Sequence, residues 1–78
     1  MRVLVTGAAG SLGRVITVGL EGLGHEVVGL DLVPPPDGTA FAWHEVDCAD
    51  ADAVEAVFAT ERLDAVVHLA GVPEELSL

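Results

Sequence analysis

Apolar residues fall along this chain in two rhythms. Short continuous runs, "RVLVT" (Arg2–Thr6), "EVVGLD" (Glu26–Asp31) and "DAVVHLAG" (Asp64–Gly71), are rich in β-branched residues and bounded by glycine or acidic residues. Runs of this length and type predict strands buried on both faces. A further strand candidate, "AFAWHEV" (Ala40–Val46), sets Phe41 and Trp43 on one side and Ala42 and His44 on the other.

Between the runs the rhythm changes to steps of three and four. Leu12, Val15, Ile16, Gly19, Leu20 and Leu23 form a stripe that predicts a helix packed on a sheet, with Gly24 at its C-terminal cap. Gly19, inside that stripe, is expected where the helix approaches a strand closely. A second helix is predicted from about Asp50 to Thr60. Asp50 is its N-cap, acids occupy its first turn, and Val54, Val57 and Phe58 make its buried face. "VPPPDGT" between the second and third runs reads as a surface loop, since its prolines donate no amide hydrogen and Asp37-Gly38 is a turn pair. The closing "VPEELSL" reads as the start of a further loop or helix. Strands alternating with helices imply right-handed βαβ crossovers and an α/β fold, a parallel sheet covered on both faces.

Composition narrows the function classes. The 78 residues make one domain, and a chain of this size buries only about 60% of its unfolded surface. Apolar residues at 51% argue against disorder, and no apolar run approaches the roughly 20 residues of a membrane span. Thr6, Gly7 and Gly10 break the N-terminal run too early for a signal peptide, which predicts a cytoplasmic protein. Thirteen acids stand against three arginines, with no lysine, for a net charge of −10. Such a surface repels nucleic acid and anionic membranes, and it also suits a protein adapted to high salt. Cys48, the one cysteine, has no partner for a disulfide or a zinc pair and reads as a small packing residue. His25, His44 and His68 lack the paired spacing of a metal site.

The candidate chemistry lies in "VTGAAGSLGR". Gly7, Gly10 and Gly13 stand between a predicted strand and a predicted helix. The first permits a tight turn, the second lets backbone amides approach a diphosphate, and the third lets the helix pack on the strand. Ala9, Ser11 and Leu12 are the intervening candidate positions. A glycine triplet also occurs in ordinary strand-to-helix turns. Here an acid, Asp31, ends the second strand about 20 residues further on, where a carboxylate accepts hydrogen bonds from adenosine ribose hydroxyls. With no cation following it, Asp31 favours NAD over NADP. Arg14 is the nearby cation that would reverse this, and it reads first as an exposed helix residue.

With these motifs in order, the chain resembles the extended short-chain dehydrogenase/reductase family, the NAD-dependent epimerases and dehydratases. Thr6 to Gly13 match that family's T-G-x-x-G-x-x-G. "VDCAD" resembles the stretch after its third strand, which implies that Asp47 meets the adenine amino group and that Cys48 contributes backbone; from position alone, Asp47 equally suits a helix cap. "VVHLAG" resembles its fourth-strand end, which implies that His68, Leu69, Ala70 and Gly71 line the cofactor. His68 otherwise reads as a packed, hydrogen-bonded core histidine and is assigned no proton-transfer role. The resemblance implies a Rossmann-like three-layer fold, strand order 3-2-1-4, incomplete relative to the family.

The family's chemistry uses a Tyr as acid/base, a Lys that lowers its pKa, and a Ser or Thr that orients the substrate oxygen. These 78 residues contain no Tyr and no Lys. No catalytic residue is therefore assigned, and the chain alone is expected to be inert. One reading is the front portion of a sugar or sugar-nucleotide epimerase, dehydratase or dehydrogenase. The other is a stand-alone dinucleotide-binding module acting as a redox sensor or interaction protein. "AVVHLA" would form an unprotected sheet edge as a last strand, which predicts self-association or pairing with a complementing chain.

Overall fold

The structure, a computed structural model, describes residues 1–71. The expected start of a loop or helix at "VPEELSL" lies outside the described residues, apart from its position after Gly71. The elements are β1 (Arg2–Thr6), α1 (Ser11–Gly22), β2 (Glu26–Asp31), β3 (Ala42–Glu45), α2 (Ala51–Thr60) and β4 (Ala65–His68). All four strands pair in parallel in one sheet of order β3-β2-β1-β4. No described helix is long and apolar enough to cross a membrane.

The alternation along β1 divides the core. Val3 and Val5 point to one face, joining Ala8 and Val27 beneath α1, with Ile16, Leu20, Phe41 and Trp43 packed around them. Leu4 points to the other face, with Val28, Leu30 and Val57 of α2. Burying each such side chain contributes about 1.5–3 kcal/mol, which is why two strands with no polar interruption occupy the middle of the sheet.

Several local expectations are corrected. The buried positions of α1 are Gly13 and Thr17, with Ile16 and Leu20 against the core, while Leu12, Val15 and Leu23 are exposed. The helix is turned by its glycine. A Cβ on Gly13 would lie 2.8 Å from Ala8 Cα, so Gly13 has to face the strand-to-helix turn and the rest of the stripe rotates with it. Gly19 faces open space instead of a strand. Gly24 terminates the helix as expected, taking the left-handed φ of +87° directly after Leu23. Its amide bonds Glu21 O and that of His25 bonds Leu20 O, closing the helix end.

In α2 the Asp50 carboxylate caps as expected, accepting from Ala53 N at 3.1 Å. Val57 is buried, but Phe58 is 45% exposed. The third and fourth strands are each shorter than their apolar runs, at four residues.

Candidate functional site

β1 leads directly into the glycine turn. Gly7 takes φ +70°, and the amides of Gly7 and Ala8 both donate to Leu30 O at the end of β2, at 2.9 and 3.3 Å. A Cβ on Gly7 would stand 2.9 Å from Ala70 N, so a side chain here would displace the chain leaving β4. Gly10 is the N-cap of α1. It makes no side-chain cap hydrogen bond, and no acid stands in the first turn. The positive end of a 12-residue helix therefore faces outward with no carboxylate of its own to neutralise it.

Across the turn, Asp31 is held by two amides. Its Oδ2 accepts from Ala9 N at 2.9 Å and its Oδ1 from Leu32 N at 2.7 Å. The carboxylate is thus fixed to both the glycine turn and the segment leaving β2.

Thr6, buried at the end of β1, stitches the other side. Its hydroxyl accepts from Leu69 N at 3.1 Å and Ala70 N at 3.3 Å. The same hydroxyl is hydrogen-bonded to His68 Nδ1 at 2.7 Å. His68 is hydrogen-bonded as expected but exposed, not a core residue, because β4 has a neighbour on one side alone among the described strands.

These parts enclose a cleft of about 410 Å³ at the carboxyl ends of the strands, where the strand order reverses between β1 and β4. Parallel α/β sheets bind ligands at this point. Gly7, Ala9, Gly10 and Asp31 form its polar end, and Leu69, Ala70 and Gly71 its flank on the β4 side. Cys48 joins Leu30, Leu32, Val33 and Val46 at an apolar end. Except for Cys48, none of these apolar residues was a predicted site position; Leu30 and Leu32 flank Asp31 and Val33 follows, at the end of β2, which was the available signal.

Other predicted positions lie outside the lining. Ser11, Leu12 and Gly13 form the first turn of α1, with Gly13 packed under the glycine turn and Leu12 exposed. Asp47 neither lines the cleft nor caps α2. Its carboxylate accepts from Ala49 N at 2.9 Å, in a local turn that leads to the true cap, Asp50. Arg14 donates from Nε to Ala9 O at 3.2 Å and does not line the cleft.

A separate ionic cluster lies on the α2 face. Glu61 accepts from Arg2 Nη2 at 2.6 Å and pairs with His44 Nε2 at 2.7 Å. The His44 hydrogen bond holds the Glu61 carboxyl below its usual range; burial opposes this and Arg2 adds to it. His25 Nδ1 meets the N-terminal amine at 3.1 Å. Among the described residues, no group of three or more His, Cys, Asp or Glu side chains is placed to hold a metal ion.

The model of the NAD dependent epimerase/dehydratase family matches residues 3–76. The chain belongs to that family. Among family members, it is 36% identical over 83 residues to the UDP-glucose 4-epimerase of Bacillus subtilis, covering 92% of this chain and 24% of the relative. It superimposes with a TM-score of 0.81 and 33% identity on a UDP-glucose-4-epimerase from Stenotrophomonas maltophila crystallised with NAD and formylated UDP-arabinopyranose, covering 94% of this chain and 25% of that one. Uronate dehydrogenase from Agrobacterium tumefaciens, complexed with NAD, matches at TM-score 0.76 and 41% identity, over 92% of this chain and 27% of that one. The chain spans about a quarter of the length of these relatives.

Proposed function

We propose that this chain is the dinucleotide-binding portion of an NAD-dependent enzyme that epimerises, dehydrates or oxidises a sugar or sugar nucleotide. The observation that carries the reading is the uncapped α1 N-terminus opening beside a carboxylate fixed by two chain amides, at one end of a single cleft. The donor set fits the group. The N-terminal turn of α1, with its partial positive charge, suits a diphosphate, and Asp31 suits a ribose diol while repelling a 2′-phosphate. The apolar lining of Leu32, Val33, Val46 and Cys48 suits adenine.

NAD, when bound, supplies the hydride acceptor. Leu69, Ala70 and Gly71 would then flank its nicotinamide half. The groups that move the alcohol proton are not in these 78 residues, which have neither Tyr nor Lys. His68 Nδ1 is committed to Thr6 and does not replace them. Cofactor binding is therefore the function assigned to this chain by itself.

Titrating NAD and NADP while following the thermal unfolding midpoint tests the proposal. NAD should raise the midpoint, with about 2.7 kcal/mol of added stability at one hundred times its Kd. NADP should do so only at much higher concentration. A midpoint indifferent to both dinucleotides would refute a competent site. Binding accompanied by sugar-nucleotide turnover in the whole protein selects the enzyme reading; binding without turnover selects the sensor module.

A further inference from the structure

The apolar wall beside Asp31 is built from residues that hold themselves in place poorly. Leu32 and Val33 line the cleft yet are 63% and 47% exposed, so packing alone does not fix them. Pro34, Pro35 and Pro36 follow directly, and none has an amide hydrogen with which to anchor the segment. Two hydrogen bonds tie the wall down. Leu32 N donates to Asp31 Oδ1, and the indole Nε1 of Trp43 donates to Val33 O at 3.1 Å.

Trp43 itself is well held. It pairs in register with Gly29 of β2, and its ring lies across the space a side chain there would fill. A Cβ on Gly29 would stand 2.5 Å from Trp43 Cε3 and 3.0 Å from Phe41 Cε1. The Phe41 and Trp43 rings are tilted against each other with centroids 6.1 Å apart, and both pack on the core of Val3, Val5, Ala8 and Val27. A glycine in the middle of β2 thus admits an indole whose N–H emerges at the cleft wall.

We propose that Trp43 is a positioning residue for the adenosine half of the dinucleotide. It transmits the rigidity of the sheet to the Leu32–Val33 wall, so that the wall is in place before the ligand arrives. This rests on the dinucleotide reading of the cleft.

Trp43→Phe keeps a ring over Gly29 and removes the N–H. Calorimetric titration of the protein should then show NAD bound about three- to tenfold more weakly, the range set by one lost hydrogen bond. ADP-ribose, which lacks nicotinamide, should lose the same factor. Unchanged affinity for both ligands overturns the proposal and leaves the dinucleotide reading intact. A lower unliganded midpoint with unchanged affinity also overturns it, since the indole would then serve stability alone. A wild-type protein that binds neither ligand overturns both readings. Should Trp43→Phe fail to fold, benzothienylalanine at position 43 keeps the shape of indole without the donor, with the same outcomes expected.

Discussion

Asp31 uses one lone pair on each oxygen to hold Ala9 N and Leu32 N, which leaves further acceptor sites on a carboxylate whose direction is already set. Asp31→Ala removes that acceptor and its negative charge together. Hydrogen bonds to charged groups are worth about 1.5–3 kcal/mol, so NAD affinity should fall about ten- to a hundredfold. NADP, no longer repelled at its 2′-phosphate, should lose less, and the NAD preference should shrink. Parallel titrations of both dinucleotides check this, and an unchanged preference would remove Asp31 from the site. The position was legible in the sequence because strand end and glycine spacing locate it together. The cap of α2 was less so: the Asp47 side chain bonds its own backbone at Ala49 and leaves the capping to Asp50, a contest between neighbouring donors that spacing does not decide.

At the scale of elements, β1 and β2 were legible to the residue, since their uninterrupted apolar runs suit strands buried on both faces. The α1 face was not. Hydrophobicity pointed to Leu12, Val15 and Leu23, whereas the steric demand of Gly13 against Ala8 decided the rotation and left those side chains outward. Glu61 shows a second tie that periodicity misses: it ends α2 and joins it to Arg2 of β1 and His44 of β3. Its folded pKa lies below the ordinary 4.5, so the stability it contributes is present above about pH 4.5 and is lost as pH falls through the lower folded value. Glu61→Gln should therefore unfold more easily than the wild type at neutral pH. The gap should close as the pH is taken down through the folded pKa of Glu61. Denaturant unfolding of both proteins over a pH series measures it, and a gap that stays constant with pH would assign the loss to packing instead of charge.

The chain carries a formal net charge of −10, and its fold spans about 34 × 28 × 22 Å. Of its three arginines, Arg2 is engaged by Glu61 and Arg14 by the Ala9 carbonyl, so the acidic surface gains little internal compensation. At about 10 mM salt the Debye length is roughly 30 Å, and charges across the entire fold repel one another. At about 150 mM it is roughly 8 Å, and only near neighbours still do. Raising NaCl between these values should therefore raise the unfolding midpoint, because the compact state concentrates the repulsion more than the unfolded chain does. NAD carries negative phosphates toward the same acidic surface, so its affinity should rise with salt over this range instead of falling. The local field at the α1 N-terminus remains, being a short-range effect of oriented amides that screening at this distance touches least. Calorimetric titrations at both salt concentrations, with sucrose as an uncharged control, measure the effect. An affinity that falls with salt would mean that local attraction to the diphosphate outweighs the net charge of the fold.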